Sequence, residues 1–361
     1  MDTVMEINSL AEVRSLKSVW EYLHQQTLHP SFYQSVEWLE QYCGRFNPED
    51  VLRVLFVTEA QEAVGILPLV ERDVSYGNQS TRELQCPWGE VGVSAHPLGP
   101  HPANAMRAFA DYLINQRRPR WERVRLTLED LIECHGANRK QAYETVHPRF
   151  RHEATEHRPW IHCAGGFDRY WYDRGWDMRQ SVDEQEMQLR HKYKLEFDRA
   201  RSRDVRPVGE RRIRELFELW CRYRDQERTR STSALAADER GTFESERIAF
   251  EAAFQARCLE LSWLSLDGRP VAIGYGYQCG GYVEHLRFAA DSSVQGTQAL
   301  PVLLRSLVAD SFTRGDVGLT LADPVTFVGW MSAEREFRKL VCQTRSGPRR
   351  ALQRLRTCIW L

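Results

Sequence analysis

No window of the 361-residue chain holds the roughly 18–20 consecutive apolar residues that a membrane-spanning helix requires. An excess of either charge is also missing. Against 50 Asp and Glu stand 49 Lys and Arg, for a formal net charge of −1. Global attraction to nucleic acid or to an anionic bilayer is therefore absent, and any basic surface must be local. Cysteine spacing excludes two further classes. The nine cysteines lie at 43, 86, 134, 163, 221, 258, 279, 342 and 358. Their number is odd and no pair is spaced CxxC, which argues against a disulfide framework or a zinc ribbon and for a reducing compartment. The opening MDTVMEINSLAEVRSLKSVW is charged throughout and has no continuous apolar core. No signal peptide is expected, and the expected location is the cytoplasm. A composition of 42% hydrophobic and 27% charged residues is that of an ordinary globular protein, and the length suits two domains.

Patterning is clearest between residues 259 and 322. LELSWLSL alternates and ends at Asp267-Gly268, PVAIGYGYQC ends at Gly280-Gly281, and YVEHLRFAAD follows as a third strand. After the loop SSVQGTQ, Leu300, Leu303, Leu304, Leu307 and Val308 predict a helix over Ala299–Thr313, and VGLTLA predicts a strand over Val317–Ala322. The order is β-β-β-α-β. The first half repeats it: a hairpin over Val51–Thr58 and Ala63–Val70, a third strand TRELQC, the Gly/Pro-rich GEVGVSAHPLGPHP, a helix over Ala103–Gln116 and a strand over Glu122–Leu128. These readings predict two domains, 1–158 and 159–361, with the boundary near Pro159. QLRHKYKLEFDRARS places Leu189, Tyr193, Phe197 and Ala200 on one stripe and basic residues around it, which predicts a basic helix. Further helices are expected around Ile213–Tyr223 and over Phe243–Arg257.

With the basic segment, the DGRPVA hairpin and its flanks, and the strand ending FAAD in view, the stretch Met187–Ala322 resembles the CelD-like branch of the GNAT acetyltransferase superfamily. That branch is related to FemAB-type peptidyltransferases. The N-terminal EWLEQYCGRF and VLRVLFVTEAQEAVGILPLV resemble the first half of the same proteins. The resemblance implies two tandem GNAT-like domains of mixed α/β structure, each a mostly antiparallel sheet flanked by helices. It also implies acetyl-CoA as co-substrate, no metal, and an acceptor amine such as an amino sugar destined for the envelope or an exopolysaccharide. The chain departs from the superfamily's pyrophosphate loop, carrying Ser293 and Gln298 at the first and last positions around Gly296. It also lacks the Tyr-Lys pair that related families show after the last strand.

Acyl transfer from a thioester to an amine needs a polarised carbonyl, a neutral amine and a protonated leaving thiolate. A GNAT-type fold supplies backbone amides where the third strand and the strand after the helix part, and a helix N-terminus for the pyrophosphate. Here the anion-binding amides are expected from Gln295, Gly296, Thr297 and Gln298. For the base, strict alternation along the third strand puts Tyr282, Glu284, Leu286 and Phe288 on one face and Val283, His285, Arg287 and Asp291 on the other. Glu284 and the Tyr282 hydroxyl are the polar groups of the first face. Glu284 on a desolvated face and His285 with its near-neutral pKa are alternative catalytic groups, the bland reading of Glu284 being an Arg pair within the sheet. Lys192, Lys194 and Arg199 of the basic segment are candidate anion-binding residues, with a solvated, internally paired face as the plain alternative.

His147, His152, His157 and His162 recur every five residues, a spacing that shares no helical face, so no metal site is expected from them. QTRSGPRRALQRLRTCIWL ends the sequence with five Arg and an apolar stripe of Leu352, Leu355 and Ile359. It is expected to dock on the protein itself, with peripheral contact to anionic lipid or RNA as alternatives. Three functions remain: an acyl-CoA-dependent N-acyltransferase, a FemAB-like transferase using aminoacyl-tRNA, and a non-catalytic GNAT-like binding protein.

Overall fold

A computed structural model describes residues 3–46, 49–60, 62–87, 96–115, 121–129, 147–202, 209–230, 240–291, 293–322 and 327–343. In chain order the first half runs β1 (Thr3–Ile7), α1 (Leu10–Ser15), α2 (Lys17–Gln26), α3 (Val36–Gln41), β2 (Val51–Glu59), β3 (Glu62–Tyr76), β4 (Gln79–Gln85), α4 (Pro102–Asn115), β5 (Arg123–Glu129) and β6 (Arg151–His162). The second half runs α5 (Phe167–Tyr172), α6 (Trp176–Lys192), β7 (Leu195–Arg201), α7 (Glu210–Arg230), α8 (Arg240–Gln255), β8 (Leu259–Leu266), β9 (Arg269–Cys279), β10 (Tyr282–Ala290), α9 (Val294–Arg314), β11 (Gly318–Leu321) and β12 (Ala333–Gln343). Contacts group these into two compact units. Unit 1 is Met1–Leu28, Tyr42–His157 and Glu336–Leu361; unit 2 is His29–Gln41 and Arg158–Arg335. Relative to a division into 1–158 and 159–361, two segments change sides: His29–Gln41 belongs with unit 2, and Glu336–Leu361 with unit 1.

The repeated strand order appears twice in space. Unit 1 has the order β1-β2-β3-β4-β5-β12, antiparallel except for the parallel pair β4/β5 joined through α4. Unit 2 has β7-β8-β9-β10-β11-β6, antiparallel except for β10/β11 joined through α9. The strand beside β5 and the strand beside β11 each come from the other half of the chain. β12 pairs with β5 from Phe337↔Glu129 to Gln343↔Arg123, and β6 pairs with β11 at Ile161↔Leu319 and His162↔Gly318. Chain order along a half therefore does not give this partner.

The turns of unit 2 follow from their glycines. Asp267 and Gly268 have φ of 49° and 79°, and Gly280 and Gly281 have 53° and 86°. Positive φ at both central positions matches the right-handed twist of a two-residue hairpin. One sheet face is apolar: Ala272, Val283, Leu286, Phe288 and Ala290 pack with Val302, Leu303, Leu304 and Leu307 of α9. On the other, Phe217 and Trp220 of α7 and Phe250 of α8 surround Tyr275, with Phe217 and Trp220 each 5.3 Å from its ring.

The basic helix predicted over 188–202 is two elements. α6 stops at Lys192, Tyr193 is extended, and Leu195–Arg201 becomes β7, paired with β8 from Leu195↔Leu266 to Arg201↔Glu260. A period of two was hidden inside the helical stripe. Leu195, Phe197, Arg199 and Arg201 alternate onto one face, where Leu195 and Phe197 meet the α9 core and Arg199 meets acids on α9 and β8.

β10 carries one residue more than either neighbour. Against β9 the register jumps from Glu284↔Tyr277 to Arg287↔Tyr275, and against β11 from Val283↔Leu319 to Leu286↔Leu321. The bulge is made at His285, whose φ is 52°. A left-handed backbone at a residue with a Cβ costs about 1–2 kcal/mol. Strict alternation therefore fails here, and the faces read from sequence are corrected. Glu284 and Arg287 share the face of Tyr277 and Tyr275, while Leu286 and Phe288 join Val283 under α9. Gly276 faces the bulge, and a Cβ there would lie 2.8 Å from the Glu284 carbonyl oxygen and 3.2 Å from Leu286 Cα. Gly276→Ala should therefore destabilise the chain by about 1–3 kcal/mol, because backbone must move; a lowered midpoint of chemical unfolding checks this.

Candidate functional site

Two features of β10 define the site: an edge with outward amides, and a buried polar face. The Asp291 N–H donates to the Val271 oxygen at 2.8 Å, so alternation turns the amides of Phe288 and Ala290 away from β9. On that other edge the Ala322 N–H donates to the Leu286 oxygen at 2.9 Å, and Leu286↔Leu321 is the final register pair. β10 thus runs on past its last β11 pair among the described residues. The Ala290 amide donates to Glu227 Oε1 of α7 at 3.3 Å. Burial lifts the Glu227 carboxyl above its ordinary value, with Arg224 opposing.

On the polar face, Glu284 is 8% exposed and accepts a hydrogen bond from Ser31 Oγ at 2.6 Å. Arg287 Nε lies 3.0 Å from Glu246 Oε1 of α8, and burial raises the Glu246 carboxyl against the pull of Arg287. The Tyr275 and Tyr277 hydroxyls are 2.9 Å apart. Burial pushes both phenols, and that of Tyr33, far above their ordinary range, so all three are neutral at physiological pH. His285 is half-buried. Its amide donates to Thr320 Oγ1 at 3.1 Å, its carbonyl accepts from Arg287 Nη1 at 3.2 Å, and its ring meets Tyr33 edge-on at 5.2 Å. Tyr282 is buried at the start of β10, with His29 4.7 Å away edge-on and Arg335 5.6 Å over its ring. The structure thus brings Glu284 and His285 to the bulge and places Tyr282 at the first position of the strand, two residues before Glu284. Glu227, Glu246, Tyr33 and Ser31 escaped the sequence reading. Ser31 lies 253 residues from its partner, and no local pattern announces such a pair.

The anion-binding residues separate. α9 begins at Val294, five residues before the predicted Ala299 and inside what was read as a loop. The amides without an intrahelical partner are then those of Ser293, Val294, Gln295 and Gly296, and the Ser293 amide donates to Asp291 Oδ1 at 3.1 Å. Thr297 and Gln298 fall far enough along α9 for their amides to enter the helical ladder. Lys194 is exposed and pairs with Glu196 at 2.6 Å, and Lys192 is exposed at the end of α6. Arg199 cannot serve an external anion. It is 1% exposed and bonds Glu260, Asp310 at 2.9 Å, Ser311 Oγ at 2.9 Å and Asp316 at 3.1 Å. Arg201 completes the cluster through Glu260 at 2.9 Å and Asp316 at 2.5 Å. The motif that suggested a binding surface is instead a buried tie between β7, β8 and the end of α9.

Burial lifts the thiols of Cys43 and Cys221 to about 11 and that of Cys163 to about 12, which makes these three poor thiolate nucleophiles. Among the described residues no group of His, Cys, Asp and Glu is arranged to hold a metal, and no helix is long and apolar enough to cross a membrane. Cys134-His135, Asp323–Thr326 and the basic segment after Gln343 lie outside the described residues.

Residues 177–322, from α6 through β11, match the family model described as "Acetyltransferase (GNAT) domain". That stretch is a GNAT acyltransferase domain, and the chain is a transferase. No curated protein sequence matches the chain. Among solved structures, the crystal structure of FemX is similar over 93% of this chain and 96% of that one, with 10% identity and a TM-score of 0.55. A tandem GNAT protein from the clavulanic acid biosynthesis pathway is similar over 96% of this chain and all of that one, with 11% identity and a TM-score of 0.41. The fold is GNAT-like, with mixed α/β content and mostly antiparallel pairing.

Two outcomes follow from the buried charges. Glu260→Gln leaves Arg199 short of its partner and should cost about 3–5 kcal/mol, read from urea unfolding. Glu227, raised by burial, binds its proton more tightly folded than unfolded. Its contribution is full below the ordinary carboxylate value of 4.5 and is lost as pH rises through the folded value. Glu227→Gln should remove that slope from unfolding free energies measured across pH 4–7.

Proposed function

We propose that the chain is an acyl-CoA-dependent N-acyltransferase, CelD-like in affiliation. It transfers an acetyl group from acetyl-CoA to the amine of a small molecule, an amino sugar of envelope or exopolysaccharide synthesis being the favoured acceptor, in the cytoplasm. The observation that carries this reading is the bulge at His285. One extra residue places the Phe288 amide on an edge past the last β11 pair, and puts a buried carboxylate, Glu284, on the neighbouring face. The Phe288 amide is suited to donate a hydrogen bond to the thioester carbonyl oxygen and so stabilise charge developing there. Glu284 takes the proton of the attacking amine, directly or through one water, with His285 as the alternative base at the same bulge. The new C–N bond forms as the C–S bond breaks, and the departing CoA thiolate takes up a proton to leave as the thiol. The first-turn amides of α9, including those of Gln295 and Gly296, point their dipole at the diphosphate. Thr297 and Gln298 flank them as candidate contacts, and Lys192 and Lys194 are candidates for the anionic ends of the substrates. No metal is needed for these steps.

Transfer from aminoacyl-tRNA is less favoured. Two cations of the segment invoked for RNA, Arg199 and Arg201, are consumed inside the fold. Acetyl-CoA should raise the melting temperature, while tRNA at the same ionic strength should not. Glu284→Gln should lower kcat by about 10²–10⁴ for CoA thiol release with glucosamine as probe acceptor, while leaving acetyl-CoA affinity unchanged. Silence from acetyl-CoA in both binding and turnover would transfer the weight to a non-catalytic binding protein.

A further inference from the structure

A short segment distant in sequence closes over the polar face of β10. Within unit 2 it approaches the β9–β10 turn so closely that Pro30 Cδ lies 2.5 Å from where a Cβ on Gly280 would stand. Ser31 then caps a single 3₁₀ turn, Phe32–Gln34. The Tyr33 amide donates to Ser31 Oγ at 3.3 Å, and the Ser31 amide donates to Gln34 Oε1 at 3.0 Å, a reciprocal capping box. Phe32 packs on Tyr277 at 4.3 Å, and Tyr33 packs on both Tyr277 and His285. Turn, cap and rings fix the hydroxyl before it meets any partner. Capping uses Oγ as an acceptor, so its one proton remains to be given away, and it goes to Glu284 Oε2 at 2.6 Å.

The geometry points to Ser31 as the positioning residue of the base. Its hydroxyl donates to the ionised form of Glu284, which favours that form and aims the carboxylate for proton removal. This assignment rests on Glu284 as the base, as proposed above. Ser31 does not touch the reacting atoms; it acts through Glu284. The titratable and charged groups on the surrounding elements are Tyr275 and Tyr277 on β9, Tyr282, His285 and Arg287 on β10, His29, Tyr33 and Glu37 on the capping segment and α3, Glu227 on α7 and Glu246 on α8. The three phenols Tyr33, Tyr275 and Tyr277 stay neutral, and Arg287 is paired with Glu246. The hydroxyl of Ser31 is therefore a direct control on the carboxylate that does not itself titrate.

Loss of a donor to the charged form raises a carboxyl pKa. The test is a carbon-13 NMR titration of the full-length protein labelled at the glutamate side-chain carboxyl, with Glu284→Gln assigning the Glu284 resonance by its disappearance. In Ser31→Ala the midpoint should rise by about 1–2 pH units, and in Ser31→Thr, which keeps the hydroxyl, it should return to the wild-type value. Ser31→Gly serves as a second hydroxyl-free variant, because Gly is tolerated at an N-cap. Equal midpoints in wild type and both hydroxyl-free variants overturn the assignment. A raised midpoint in these variants together with full turnover in Glu284→Gln upholds Ser31 as the control of that carboxylate and overturns the base reading alone.

Discussion

The site in unit 2 depends on one inserted residue. Were His285 kept within the ladder instead of bulged out of it, alternation would place Glu284 and Arg287 on opposite faces and shift the Phe288 edge by one place. The protein tolerates a left-handed histidine there because the surroundings fix it from several sides. Thr320 takes its amide, Arg287 takes its carbonyl, and Gly276 gives the backbone room. Strain held this firmly is a cost to stability that persists only where neighbours overdetermine the conformation.

The two units show what the same architecture becomes under different electrostatics. In unit 1 the third strand β4 carries Glu83, fully buried. Arg125 at 3.4 Å, Arg123 at 3.7 Å and the Tyr76 hydroxyl at 2.7 Å surround it. Two guanidiniums and a phenol thus converge on that carboxylate. In unit 2 the carboxylate of β10 accepts from a neutral hydroxyl, while Arg287 pairs with Glu246 and Arg199 sits in its own cluster. The repeat preserves the scaffold, while the groups that surround its buried glutamate differ between the two units.

Much of the scaffold was legible in the sequence for local reasons. Asp267-Gly268 and Gly280-Gly281 dictate their turns, and alternation dictates the strands between them. What was illegible has physical causes too. His285 breaks alternation without a glycine to announce it. Pro301 would be tolerated in the first turn of a helix starting at Ala299, which hides the true start at Val294. The stretch from Leu189 to Arg201 satisfies two periods at once, and only pairing with β8 decides between them. Sequence offered Glu284 and His285 from opposite faces of one strand, and the structure places both at the bulge. It offered Arg199 to an external anion because its acids, on β8, on α9 and in the loop after α9, lie far away in sequence. Ser31 was invisible because long-range pairs leave no periodic trace.

The crossed outer strands bear on how the protein is made. During synthesis, β5 emerges with one side of its ladder open, and its partner β12 follows only after almost all of the second half has been translated. At ordinary elongation rates that gap is on the order of 10–40 s. An exposed strand edge over such an interval invites wrong pairing, so the nascent chain has reason to require a holding chaperone. The capping serine, made early, likewise waits for a strand not yet translated.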